Sequence, residues 1–235
     1  MLLQNLDLFR IILISFSQPL VLIILITIAY KVLKRKRDIS TIVLGLFFIF
    51  YIIAFILNIF YLIISISFPS LILFYIYCII FYLTSLSPIF IIIFIINLLN
   101  EKKKNHTLFL FIFYAITAFL LLLTPKGIII TEEKNWVPIY SLNFLIIAYI
   151  YISAFITIPT LIFSLKIYQF FEDKTLKRKM KFFIVGALLE LPIMYGAILF
   201  NTQIIPLFRI IWPPTSSILL IITALLIYYG VGREL

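Results

Sequence analysis

Long apolar runs, interrupted at short intervals by charged residues, prolines and asparagines, organise this chain. Read between those breaks, they predict seven helices, at about 11–33, 41–64, 71–99, 107–124, 141–168, 182–201 and 210–231. Each is close to or longer than the roughly 18–20 apolar residues that a helix needs to cross bilayer hydrocarbon. The connections are short, so consecutive helices should be antiparallel neighbours. The expected fold is therefore all-α, a polytopic membrane protein whose single domain is a seven-transmembrane-helix bundle spanning residues 1–235. One connection, 125–140, is longer and contains Lys126, Glu132, Glu133, Lys134, Trp136 and Pro138. It is too small to be a separate domain.

Composition strengthens that reading. Hydrophobic residues make up 65% of the chain and charged residues 12%, where a soluble domain carries about a quarter. The first apolar run ends in Lys34-Arg35-Lys36-Arg37, not at a small-residue cleavage site, and reads as a retained span. The only cysteine, Cys78, excludes an intrachain disulfide and a cysteine-cluster metal site, and is expected to act as a small core hydrophobe. The only histidine, His106, follows Lys102, Lys103 and Lys104 and is expected in a polar interfacial loop. No zinc-protease, serine-hydrolase or phosphate-cradling motif occurs. No catalytic residue, metal ligand or cofactor is expected.

Charge supplies the direction of insertion. Fifteen cations fall on one side of the predicted spans: Lys31, Lys34, Arg35, Lys36, Arg37, Lys102, Lys103, Lys104, Lys166, Lys174, Lys177, Arg178, Lys179, Lys181 and Arg233. Four fall on the other: Arg10, Lys126, Lys134 and Arg209. The positive-inside bias places the N-terminus outside, the C-terminus in the cytoplasm, and the protein in the cell membrane. The net charge of +10 thus belongs to short loops beside anionic headgroups, which argues against nucleic acid as a partner. Within 166–183, Lys174, Lys177, Arg178 and Lys181 recur at helical spacing among Phe170, Phe171, Leu176 and Met180. That pattern fits a basic amphipathic extension along the headgroups, or a docking surface for a cytoplasmic partner. A homo-oligomer is also compatible with it.

Four spans carry an internal proline, Pro19, Pro88, Pro159 and Pro192. Each removes a backbone donor and marks a candidate kink or hinge. One span contains a carboxylate, in GALLELPIMYG. Glu190 lies eight residues beyond Phe182, roughly 12 Å into a hydrocarbon core about 30 Å thick. A charge there costs several kcal/mol, about 3 on insertion scales. Glu190 is therefore expected to face the bundle and to be protonated or strongly hydrogen-bonded. Gly186, Glu190, Ala197 and Asn201 share one helical stripe, a pattern of small and polar residues suited to helix contact. Equal depth brings Thr157 and Thr223 near Glu190, with Thr84, Ser85 and Ser87 slightly further out, and Pro192 frees the carbonyl of Leu188. Glu190, Thr157, Thr223 and Thr84 are accordingly the candidate ligand- or proton-binding residues. A structural clasp is the competing role for Glu190.

The last predicted span lacks the Schiff-base lysine of retinal proteins, and the eukaryotic G-protein-coupled receptor patterns are absent. Leu191-Pro192, Ile205-Pro206, Pro213-Pro214 and the run Tyr228-Tyr229-Gly230-Val231-Gly232-Arg233 are similar to the late part of the N-terminal seven-helix sensor region of microbial histidine kinases. The resemblance covers the layout of the whole chain and, in its motifs, about the last fifty residues. It implies a membrane sensor. In that family the seventh helix leads into sensory or kinase domains, whereas this chain stops four residues after Val231. The expected function is a non-enzymatic, receptor-like sensor acting through a separate cytoplasmic partner. The alternative is a small secondary transporter or channel using Glu190 as a proton or cation site. An intramembrane enzyme ranks third, because one glutamate without a second acid, a histidine or a metal set is a poor catalytic constellation.

Overall fold

A computed structural model describes residues 2–35, 38–67, 71–99, 104–134, 136–202 and 204–232; the side chains of 2–16, 66, 104–107, 134 and 232 are outside that description. Of the residues expected to matter, Arg10, Lys104, His106 and Lys134 lie outside it for their side chains, and Lys36, Arg37, Lys102, Lys103 and Arg233 entirely.

The helices are α1 (Leu2–Leu33), α2 (Ile39–Ser67), α3 (Ile72–Leu99), α4 (Lys104–Leu122), α5 (Leu142–Tyr151), α6 (Ile158–Phe170), α7 (Lys174–Thr202) and α8 (Pro206–Ile227). A π turn, Ile152–Thr157, joins α5 and α6 into one continuous rod, and a second, Tyr228–Gly232, extends α8. Among the described residues, five stretches are long and apolar enough to cross a membrane: Ile39–Ser65, Ile72–Leu99, Leu142–Phe170, Lys174–Thr202 and Pro206–Val231. Ser17–Leu33 and Leu108–Leu122 are shorter apolar helices. The architecture is that of a helical membrane protein.

Helix starts follow from short polar side chains. Asp38 Oδ1 accepts from the Thr41 amide at 2.7 Å, Ser141 Oγ from Phe144 at 3.2 Å, and Asp173 Oδ1 from Thr175 at 2.9 Å. Each satisfies an amide left open in the first turn. The Asp173 cap corrects the expected boundary at 182. Lys174, Lys177, Arg178 and Lys181 occupy the first turns of α7 itself and do not form a separate surface segment. His106 likewise lies in the first turn of α4, not in a loop.

α3 is the most enclosed helix, buried without a break from Ser85 to Ile95. Phe47 and Phe48 from α2, Phe94 from α3 and Phe183 from α7 fill the core around it. Cys78, on the same helix, is half-buried. Outward faces are studded with exposed Ile, Leu and Phe, such as Ile23, Phe109, Ile150 and Leu165, which suits lipid as solvent and not water.

The 125–140 connection forms a small hairpin. Strands β1 (Ile128–Ile129) and β2 (Ile139–Tyr140) pair antiparallel, Ile128 with Tyr140 and Ile129 with Ile139, around a 3₁₀ turn at Glu132–Lys134. Lys126 and Trp136 adopt positive φ, 52° and 57°, to close it. The Tyr61 hydroxyl on α2 donates to the Trp136 carbonyl, and the Tyr77 hydroxyl on α3 meets that of Tyr140 at 2.7 Å. Two tyrosines thus pin the hairpin across the bundle end.

Prolines enter the helices in two ways. Pro19, Pro88 and Pro192 lie inside α1, α3 and α7, and α8 holds Pro213 and Pro214. Pro159 follows the π turn, where the Ile158 amide bonds back five residues to the Ser153 carbonyl. The wider π register precedes a residue that has no amide to donate.

Candidate functional site

Glu190 is buried, 1% exposed, as expected of a carboxylate facing the bundle. Its partner is a residue that spacing did not single out. The Tyr51 hydroxyl on α2 donates to Glu190 Oε1, while Oε2 has no hydrogen-bond partner among the described residues. The bond joins α2 to α7 next to Pro192.

Of the expected partners, Thr157, Thr84 and Ser87 are engaged elsewhere. Thr157 Oγ1 lies 3.0 Å from the Tyr195 hydroxyl, which also meets Ser153 Oγ at 2.6 Å. Thr84 donates to its own helix, at the carbonyls of Ile80 and Phe81. Ser87 donates to the Phe47 carbonyl at 2.8 Å, tying α3 to α2. Thr223 is buried, and its hydroxyl has no partner among the described residues. Equal depth is reckoned along one helix at a time. It could not say which helix lies beside which, and α2 supplies the partner. The available signal was a tyrosine in mid-span, whose hydroxyl needs an acceptor once buried, but the chain has 14 tyrosines.

Beside this bond is a cavity of about 270 Å³, just below the usual size of small-molecule pockets, roughly 300 Å³ and upward. Its wall takes residues from the middle of α2, the N-terminal half of α3, the C-terminal half of α7 and the first two-thirds of α8, with Ser17 and Gln18 of α1, Leu121 of α4, Tyr151 of α5 and Tyr140 of the hairpin. It therefore sits towards the hairpin end of the bundle, away from Lys31, Lys34, Lys166 and the α7 lysines. Tyr51 and Thr84 belong to the wall; Glu190, Thr157 and Thr223 do not. Ala197 and Asn201, from the stripe identified in sequence, also face it. The indole of Trp212 occupies the space where a Gly196 side chain would be, so this glycine lets α8 deliver a ring into the wall.

Among the described residues, none of those lining it is charged. Aromatic rings and neutral hydroxyl and carboxamide groups make the surface, a combination suited to an uncharged molecule with an apolar body.

At the opposite end, Lys177 and Lys181 place their ammonium groups 4.6 and 5.8 Å from the centre of the Tyr168 ring on α6. Lys174, Arg178 and Lys181 are exposed. These side chains surround the tight α6–α7 turn.

No protein-family model matches the chain, and neither a curated protein nor a solved structure matches it.

Proposed function

We propose that the chain is a non-enzymatic, seven-helix membrane sensor of receptor-like type. α1 and α4 complete the set of spans, the N-terminus is outside, and the basic ends of the helices are cytoplasmic. A small ligand enters the cavity in the outer half. The response travels through α7 and α8 to the α6–α7 turn and the inner end of α8, where a separate cytoplasmic partner reads it.

The uncharged cavity at the hairpin end is the observation that carries this reading. It touches α2, α3, α7 and α8 together, so an occupant would bias how they pack, and all but α2 contain prolines where a helix can adjust. A layout similar to the sensor regions of histidine kinases supports the same conclusion. The test is chemical crosslinking in intact membranes followed by capture. A cytoplasmic partner should be recovered with the native chain and lost when Lys174, Lys177, Arg178 and Lys181 are all changed to Glu. Recovery of no partner, with the charge reversal having no effect, overturns the relay.

Glu190 Oε2, without a partner among the described residues, favours a second reading, a small transporter or channel with Glu190 as proton or cation site. Its place behind Tyr51, outside the cavity wall, weighs towards the clasp. Ion or solute flux in reconstituted vesicles that disappears in Glu190→Gln would decide for transport.

A further inference from the structure

We infer that the adjoining ends of α1 and α8 form a binding site for an anionic phospholipid, with its phosphodiester held by Lys31, Lys34 and Arg35. The site shares no residue with the cavity, so it goes beyond the ligand-site reading.

The three cations come together at one helix end. Lys31 is in the last turn of α1, Lys34 and Arg35 follow directly, and Lys31 and Arg35 are four residues apart. Across from them α8 passes into its π turn at Tyr228. The Lys31 ammonium lies 5.8 Å from the centre of the Tyr228 ring, and the Arg35 guanidinium 5.9 Å from the same centre. The Lys34 ammonium lies 5.5 Å from the centre of the Tyr30 ring. A ring face attracts a cation, but it does not neutralise two that it draws together.

What this end of the bundle lacks is negative charge. Among the described residues no carboxylate pairs with these cations, and Arg35 Nη1 is buried with no hydrogen-bond partner. The acid nearest in sequence, Asp38, uses Oδ1 to cap α2. The dipole of α1 places about half an elementary charge at this end, too little to balance three cations. A buried donor without an acceptor carries a desolvation penalty. A phosphodiester supplies what is absent: a negative charge and two oxygens that match the guanidinium fork, with the ammonium groups adding point charges.

The surface beside the cations favours lipid over soluble phosphate. Ile23, Ile26 and Tyr30 are exposed at helical spacing along α1, and the stripe ends where Lys34 covers Tyr30. On α8, Leu225 and Tyr229 are exposed as well. An acyl chain lying along this stripe leaves its headgroup among the three cations. A free phosphate gains nothing from it.

The position also gives the lipid a consequence. Two residues beyond Tyr228, Gly230 packs so closely on α7 that a Cβ would lie 2.5 Å from the Phe183 nitrogen. A headgroup among the cations braces α1 against a stretch of α8 that is itself wedged on α7.

The test is native mass spectrometry of the full chain, released from detergent with phosphatidylglycerol or with phosphatidylcholine of the same acyl chains. Phosphatidylglycerol should be retained about ten-fold more tightly, the value of roughly one charge-assisted hydrogen bond. Changing Lys31, Lys34 and Arg35 to Gln should abolish the preference, with phosphatidylcholine retention unchanged as the sign of an intact fold. Changing Lys174, Lys177 and Lys181 to Gln removes as much charge elsewhere and should leave it. Arg35→Lys keeps the charge, loses the fork, and should weaken retention several-fold. Glycerol phosphate in solution should not displace the lipid. Equal retention of both lipids by the native chain overturns the site. An equal loss in both triple variants overturns it too, leaving diffuse attraction between charges. Displacement by glycerol phosphate replaces the lipid with a soluble anion. A preference seen only in Glu234→Gln would show the chain's own acid closing the cluster, and overturns the inference. Partner capture lost in the Lys31, Lys34 and Arg35 variant, with lipid retention unchanged, assigns the cluster to an acidic protein instead. The cavity and the relay through the α6–α7 turn stand or fall separately from all these outcomes.

Discussion

The hydroxyl of Tyr51 donates to Oε1 of Glu190, joining α2 and α7 through a bond whose two ends are both buried. A carboxyl group in this position is tolerable because it is held, and the residue that holds it also forms part of the cavity wall. The clasp and the candidate ligand site therefore share one side chain.

Removing one end of this bond should cost more than removing both. Tyr51→Phe leaves both carboxyl oxygens without a partner, a loss of about 1–3 kcal/mol. Glu190→Leu strands the Tyr51 hydroxyl. Glu190→Gln keeps an acceptor and should be the mildest change. Unfolding in bicelles should show that Tyr51→Phe with Glu190→Leu is less destabilising than the sum of the singles, by about 1 kcal/mol, within the range known for interhelical bonds in membranes. Additive effects would show that the pair is not coupled.

A methyl group at Gly186 should be harmful, and one at Gly45 much less so. A Cβ on Gly186 would lie 2.9 Å from Ile227 Cγ1 and 3.1 Å from both the Ile227 nitrogen and the Thr223 carbonyl oxygen, the last two being backbone atoms of α8. At Gly45 the obstacle is the flexible end of Leu33. Gly186→Ala should lower stability by about 1–3 kcal/mol through overpacking. Thermal unfolding of the two variants side by side is the check, and equal tolerance would refute the close approach of α7 and α8.

High pH should loosen the hairpin. Burial, with the neighbouring Tyr77 hydroxyl, holds the pKa of the Tyr140 phenol well above the usual range. The folded state therefore keeps a proton that the unfolded state releases, so the contribution is intact below the ordinary phenol pKa of about 10 and declines as pH rises beyond it. Protease cleavage near Glu132–Lys134 should accelerate above about pH 10 in the native chain, and less steeply in Tyr140→Phe. The same pH dependence in both would remove Tyr140 as its source.

Orientation can be read from single cysteines in a Cys78→Ala background. Lys34→Cys and Glu172→Cys, both at exposed positions, should react with a membrane-impermeant maleimide only after inverted vesicles expose the inner face. Thr131→Cys and Ile204→Cys, also exposed, should react in intact cells. Labelling of all four from one side would overturn the proposed topology.

Sequence alone determined that the chain is helical and membrane-embedded, because apolar runs of this length admit few other structures in lipid. It also identified Glu190 as the anomalous buried group and placed it on an inward stripe, since depth and helical phase depend only on position along one helix. Boundaries were less legible. Asp173 starts α7 eight residues before the apolar run becomes continuous, because a cap is a local backbone interaction that average hydropathy does not register. Pro159 was visible, but the π turn before it was not. The choice of Tyr51 over Thr157, Thr84 or Thr223 lay beyond any single-helix argument. It depends on which helices are neighbours and how each is rotated, and only their packing together decides that. The cavity arises in the same way, where Ser17, Gln18 and Asn201, from near the two ends of the chain, share one wall.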